Sequence, residues 1–482
     1  MTQNHTRPLG RTGLAVYPLG FGCYRIADGN AGHEAALRAY LDRGGNLIDT
    51  SANYTDGQSE RLVGRVLKET GRERAVIVTK GGYIQGQNMA LARRRAFPEI
   101  VAYADGLWHC IHPDFLDTQL RLSAERLQVD TIDVYLLHNP EYFLTEIAHH
   151  HPPTAADHDE FYRRVREAFR FLEQQVQAGK IRWYGVSSNH FGLPASDPVM
   201  TSVARCLDEA QAVAAGRHHF AVVQLPVNLY ECGGALEPNT DGRTVLQFCR
   251  ENGIGVLANR PLNAFWEDQL IRLADFVPPG APPPGPEALR ALLEPLRLIE
   301  QQFADRFGPT GAPPPGIAEQ LEKVVPQIRS PNHFEQVAGP YLVRPIQQWL
   351  AGAQQTLSAN ERWPEWERGF VDVVNGLFES LQRYVAAGQQ NTSDTVRRRL
   401  IQSGYVDTVP PEPLSHMATR VLLSLPGLTS VLVGMRRPGY VDDLMGLPAQ
   451  PVPNQPNQPN QIDPEQAEKI LRAFRPAPIA GY

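Results

Sequence analysis

Short apolar runs and amphipathic segments alternate along this chain, which predicts an α/β protein built as a closed (β/α)8 barrel. Three observations carry that expectation. The apolar runs are brief and uniformly hydrophobic, as parallel strands covered by helices must be. Several end on a residue with chemistry: NLID at Asp49, AVIVTK at Lys80 and IDVYLLH at His138. One connection, residues 263–413, is far longer than a barrel unit needs and is interrupted by proline.

Taken in order, RPLGRTGLAV (residues 7–16) alternates around a Gly-bearing turn and predicts a short hairpin. YPLGFG is the first barrel strand, followed after His33 by the helix EAALRAYLDRG. NLIDT precedes SERLVGRVLKE, AVIVTK precedes DFLDTQLRLSAERL, and IDVYLLH precedes EFYRRVREAFRFLEQQVQAG. IRWYGVSS precedes MTSVARCLDEAQAVAAG, and AVVQLPVN precedes GRTVLQFCREN. GIGVLANRP is the seventh strand and TSVLVG, after the helix LSHMATRVLLSL, the eighth.

The expected domains are therefore a first barrel part with its hairpin (1–262), an insertion (263–413), the last barrel units (414–446), and a Pro/Asn/Gln-rich linker with a final helix (447–482). In the insertion, Leu289, Leu293, Leu296, Ile299 and Phe303 share one helical face, as do Phe370, Val374, Leu377, Leu381 and Tyr384. The insertion reads as mainly helical with stiff proline-rich spacers. Leaving from a strand's C-terminal end, it is expected on the active-site face as a lid or pocket wall. A smaller expansion follows Lys80, from Gly81 to about His112, on the same face.

Composition narrows the function classes. A net charge of −6 over 482 residues, with no basic stripe and no polybasic amphipathic segment, argues against nucleic-acid and membrane-surface partners. The N-terminal MTQNHTRPLGRTG lacks the apolar core of a signal peptide. Cys23, Cys110, Cys206, Cys232 and Cys249 are odd in number and lack metal-ligand spacing, which favours free thiols in a reducing cytoplasm. The triplet His149, His150 and His151 reads as a polar loop, because adjacent histidines do not converge on one ion, and no metal is expected.

The run GFGCYR, Asp49 and Tyr54 in DTSANY, Lys80 closing VTK and His138 closing YLLH resemble the aldo-keto reductases. The resemblance covers residues 7–262 and 414–446 and implies a TIM barrel that reduces aldehydes or ketones with a nicotinamide cofactor. The chemistry of the four residues agrees with it. Carbonyl reduction needs an acid for the developing alkoxide, and a free tyrosine, with a pKa near 10, is a reluctant one. Lys80 is expected to lower the pKa of Tyr54, Asp49 to hold Lys80, and His138 to orient the carbonyl. The chain has no GxGxxG after its first strand, so a separate dinucleotide-binding domain is not expected.

By resemblance, the cofactor would meet Gly22, Cys23 and Tyr24 in GFGCYR, and Asp49. Ser187, with Ser188 or Asn189, and Gln224 would bind the carboxamide. After the seventh strand, Asn259 in ANRPL replaces the family's stacking aromatic, and Arg260, Pro261 and Leu262 follow, with Arg260 a candidate for the pyrophosphate or for a salt bridge to the insertion. After the eighth, Gly434, Arg436, Arg437 and Asp443 resemble the adenosine-phosphate loop, and two adjacent arginines favour NADP, with NAD possible. The expected partner is a small carbonyl substrate; oligomeric state is left open. The alternative is a slow-turnover, redox-sensing partner protein that docks through the helical insertion.

Overall fold

Eight parallel strands close into a barrel in chain order: β1 (Leu19–Gly22), β2 (Leu47–Asp49), β3 (Val76–Gly81), β4 (Ile132–His138), β5 (Ile181–Ser187), β6 (Phe220–Pro226), β7 (Gly255–Asn259) and β8 (Ser430–Val433). The expected fold is the observed one. The computed structural model describes residues 6–266, 269–277, 284–308, 314–328, 331–406, 411–449 and 462–475. The proline clusters at 278–283 and 309–313 and the PNQ repeat at 451–461 lie outside the described residues.

Register decides what the barrel presents at its C-terminal end. His138 pairs with Ser187, and Ser187 pairs in turn with Gln224, so three polar side chains occupy one level of β4, β5 and β6. Gly22 is level with Asp49 on the opposite side of the closure. The N-terminal hairpin pairs Arg7–Pro8 with Ala15–Val16.

Local chemistry sets the helix boundaries. Asn30, Thr154, Ser202 and Thr244 each cap a following helix, the second and fourth through full capping boxes. The helix expected to begin at Met200 starts at Val203 instead, because Ser202 stays extended and accepts from the Arg205 backbone N–H. The helix Gln58–Thr70 packs against Pro113–Leu127 so closely that a Cβ at Gly64 would stand 2.5 Å from the Arg126 carbonyl oxygen. Across that contact Arg126 Nε donates to Glu60 Oε2 at 2.6 Å, and Thr79 Oγ1 donates to Glu60 Oε1 at 2.6 Å. A helix pair is thereby tied to the residue before Lys80.

The chain divides into two compact units: one of Met1–Leu273, Arg399–Thr408 and Ser415–Tyr482, the other of Ala274–Arg398 and Val409–Leu414. The expected break at residue 263 falls too early. Asn263–Trp266 and Gln269–Arg272 form a β-hairpin that belongs to the barrel unit. The final helix, Pro464–Phe474, buries Ile470, Leu471 and Phe474, with the Phe474 ring 5.3 Å from that of Tyr230.

The second unit has its own core. Helices Pro286–Phe307 and Trp363–Ala387 bury the faces read from their periodicity, and Ile317–Val324 and Arg344–Leu357 complete the cluster. Phe303 is fully buried, with Trp349 at 5.2 Å and Trp366 at 4.9 Å between ring centroids. Among the described residues no helix is long and apolar enough to cross a membrane. Truncating Phe303 to alanine is expected to lower stability by about 3–5 kcal/mol. Urea unfolding followed by tryptophan fluorescence checks this.

Candidate active site

Lys80 stands at the end of β3 with no solvent exposure, and its ammonium is fully spent. Nζ donates to Asp49 Oδ2 at 2.8 Å, to the Thr50 carbonyl at 2.9 Å and to Tyr54 Oη at 3.1 Å. The other carboxylate oxygen, Asp49 Oδ1, accepts from Gln224 Nε2 at 2.7 Å. A buried charge persists only when paired and hydrogen-bonded, and here both partners are. Burial alone would lower the pKa of Lys80, but Asp49 and Tyr54 outweigh it and the pKa lies above the ordinary value. Burial pulls the Asp49 carboxyl upward, opposed by Lys80 and Gln224. With a donor on each oxygen, the pair is an ion pair.

Tyr54 departs from the expectation of a lowered pKa. Burial pushes it up to about 12, and the nearby Lys80 recovers only part of that rise. At neutral pH Tyr54 is a phenol. It opens a 3-10 turn, Tyr54–Gly57, in which Thr55 (φ 46°) and Asp56 (φ 55°) are both left-handed. Such residues cost roughly 1–3 kcal/mol each and persist only where surrounding contacts hold them.

His138 closes β4 as a neutral imidazole, its pKa driven well below the usual range by burial, Lys80 and His109. Ser51 Oγ lies 3.0 Å from its Nδ1, while Nε2 has no hydrogen-bond partner among the described residues. Its ring stands 5.9 Å from that of Tyr54, nearly perpendicular. The structure thus brings Asp49, Tyr54, Lys80 and His138 together.

Sequence reasoning missed the wall beside them. The rings of Tyr83 and His138 are 4.6 Å apart and those of Tyr83 and Tyr142 are 5.4 Å apart. Asn139 Nδ2 donates to the Tyr83 hydroxyl at 2.7 Å. Tyr24, largely exposed, covers Tyr54 edge-on at 5.2 Å. The available signal was position: Tyr83 and Tyr142 each follow closely on a strand that ends in a site residue. The expansion after Lys80 supplies Tyr83 and folds as a three-stranded sheet of Tyr83–Ile84, Val101–Ala104 and Leu107–His109 with the helix Gln87–Arg94.

The residues carried over for the cofactor fare unevenly. Gly22 is half-buried at the end of β1. Ser187 Oγ donates to Gln224 Oε1 at 3.2 Å, and Asn259 Nδ2 approaches the same oxygen at 3.4 Å. Asn259 Oδ1 is buried and without a hydrogen-bond partner among the described residues. Ser188 is committed locally, its Oγ accepting from the His190 backbone N–H, and the Asn189 backbone N–H donates to Glu141. Pro261 is buried and Leu262 half-buried beyond β7.

Three of the carried-over residues already have partners within the protein. Cys23 is fully buried with its thiol directed to the Phe21 carbonyl and its pKa raised by burial. Arg260 pairs with Glu231 and lies over the Phe265 ring, while its Nε is buried without a hydrogen-bond partner among the described residues. Asp443 is bonded to His416 at 2.7 Å. Arg436 and Arg437, beyond β8, pair with no carboxylate among the described residues, and Gly434 there is exposed. His149 and His150 lie against Glu146 on the surface.

The model of the aldo/keto reductase family matches residues 18–268. The chain belongs to the aldo/keto reductase family. Among its curated relatives in the family are a 6-dehydroglucose reductase of Novosphingobium aromaticivorans, 30% identical over 193 residues (38% of this chain, 51% of that protein). Another is the NADH-specific methylglyoxal reductase of Escherichia coli, 27% identical over 189 residues, with coverage of 38% and 51%. The chain spans about half the length of these two curated relatives. Among solved structures, the holo form of an aldo-keto reductase from Bacillus halodurans is 16% identical with a TM-score of 0.48, covering 97% of this chain and 95% of that one.

Buried neutral histidines make stability depend on acid. Burial holds His109 down to about 4, against about 6.5 in an unfolded chain. Between those values the unfolded state binds more protons, so stability is full above about pH 6.5 and is lost as pH falls toward 4. Thermal unfolding is expected to show a falling midpoint from pH 7 to pH 4.5, and a shallower fall in His109→Gln.

Proposed function

We propose that this chain is an NADP-dependent reductase of aldehydes and ketones, reversible toward alcohol oxidation. One observation carries the reading: a fully buried lysine donates at once to a carboxylate and to a tyrosine hydroxyl at the C-terminal mouth of the barrel. The bound nicotinamide supplies the hydride.

The protein's part is proton placement. An ammonium can only donate, so Tyr54 Oη accepts from Lys80 and keeps its own O–H for a carbonyl oxygen. The high pKa keeps Tyr54 in the acid form that reduction requires. As charge builds on the substrate oxygen, that proton is transferred and the phenolate is left against Lys80, whose charge Asp49 fixes. His138, neutral and seated between Tyr54 and Tyr83, orients the carbonyl.

Support for the cofactor comes from the strand ends. Ser187, Gln224 and Asn259 form a row of side chains with hydroxyl and amide groups, and the unspent buried Asn259 Oδ1 suits a carboxamide N–H. Gln224 also anchors Asp49, so a ligand there would sit against the ion pair. With Arg260 engaged by Glu231, Arg436 and Arg437 are the cations left for a 2′-phosphate. The relatives' names point to both cofactors, one NADH-specific and one from Schizosaccharomyces pombe labelled NADP(+), and the two arginines support NADP for this chain.

Consumption of NADPH with an aldehyde panel tests the reading. Tyr54→Phe is expected to lose at least about a hundredfold in kcat. Equal activity of that variant and wild type on every substrate would refute the mechanism. Replacing Arg436 and Arg437 together by alanine is expected to raise the KM for NADPH on the order of tenfold while sparing that for NADH.

A further inference from the structure

The strained turn that carries Tyr54 is tied down by the expansion after β3. Asp56 Oδ1 accepts from the Gln87 backbone N–H at 3.1 Å, and Gln87 Nε2 donates to the Asp56 carbonyl at 2.8 Å. One residue before Tyr54, Asn53 Nδ2 donates to Gln85 Oε1 at 3.0 Å. Gln87 opens the helix Gln87–Arg94, so the Asp56 carboxylate faces donors at that helix's start. Gly86 between them has φ +51°, and a Cβ there would stand 2.3 Å from Asp56 Oδ1. On its other side Thr55 Oγ1 donates to the Ile26 carbonyl at 2.7 Å, and the Tyr54 backbone N–H donates to the Ser51 carbonyl at 3.1 Å.

Thr55 and Asp56 would relax from their left-handed conformations if released, and Tyr54 would move with them. We propose that Gln85, Gly86 and Gln87 form a strap whose contacts with Asn53 and Asp56 hold the Tyr54 hydroxyl on Lys80. These are positioning residues. They touch no reacting atom and act through the turn. The expansion would then set the rate of proton delivery as well as supply Tyr83 to the pocket wall.

The proposal rests on Tyr54 being the acid, and the two fail separately. Turnover with NADPH is measured across pH for wild type, Asp56→Ala, Asp56→Asn and Gln87→Ala. Phe97→Leu, in the small core of the same expansion, controls for lost stability alone. Asp56→Ala is expected to lower kcat on the order of tenfold or more, and to displace its pH profile. The KM for NADPH should stay within about twofold. Asp56→Asn keeps the acceptor and should restore most of the rate. Gln87→Ala should give a smaller loss in the same direction, and it carries the test if Asp56→Ala does not fold. Phe97→Leu should lower the melting temperature without moving the pH profile.

A wild-type rate and pH profile in Asp56→Ala and Gln87→Ala, with Tyr54→Phe inactive, would overturn the strap alone. So would a Phe97→Leu profile displaced as far as that of Asp56→Ala. Full activity in Tyr54→Phe would overturn the acid assignment itself.

Discussion

The buried pair of Asp49 and Lys80 is the constraint on which the rest of the site depends. Taking two ions out of water costs several kcal/mol each, and attraction repays this only when every remaining donor and acceptor is satisfied. Here the three ammonium hydrogens have three partners, Asp49, Thr50 and Tyr54, and the second carboxylate oxygen has Gln224. The partners come from β2, β3, β6 and the turn after β2. Asp49 and Lys80 meet across neighbouring strands, and the closed barrel brings Gln224 of β6 to the second carboxylate oxygen.

From that pair the behaviour of Tyr54 follows. Its surroundings oppose the phenolate, Lys80 favours it, and burial wins in the resting protein. The result is an acid that holds its proton until charge appears on a substrate oxygen. Its place is set with comparable care: two consecutive left-handed residues follow it, and contacts from the barrel and from residues 85–87 meet on that turn. Neutral His138 and the Tyr24 ring flank Tyr54, and Tyr83 and Tyr142 continue the wall beyond His138, without adding a competing charge.

Much of this was legible in the sequence because parallel strands bury both faces and read as unbroken apolar runs. Asp49, Lys80 and His138 stood out because each ends such a run. Pairing was not legible. Arg260 and Asp443 carry charges suited to a nucleotide, yet Glu231 and His416 claim them, and only folding reveals those neighbours. The hairpin of Asn263–Trp266 and Gln269–Arg272 was hidden because it is short and follows directly on β7. In the insertion, the long helices showed their faces, whereas Ile317–Val324 offers too few turns for its period to register. The effect of Lys80 on Tyr54 has the expected direction, but burial outweighs it, and sequence names the neighbours of Tyr54 without its burial.

The central claim is that Lys80 lowers the pKa of a tyrosine whose pKa burial otherwise raises. It is tested most directly by carbon-13 NMR titration of ring-labelled tyrosine, with Tyr54 assigned by its loss in Tyr54→Phe, in wild type and in Lys80→Met. The account predicts that Tyr54 stays protonated beyond pH 10 in wild type and ionises at still higher pH in Lys80→Met. Ionisation of Tyr54 at an unchanged or lower pH in Lys80→Met would contradict it.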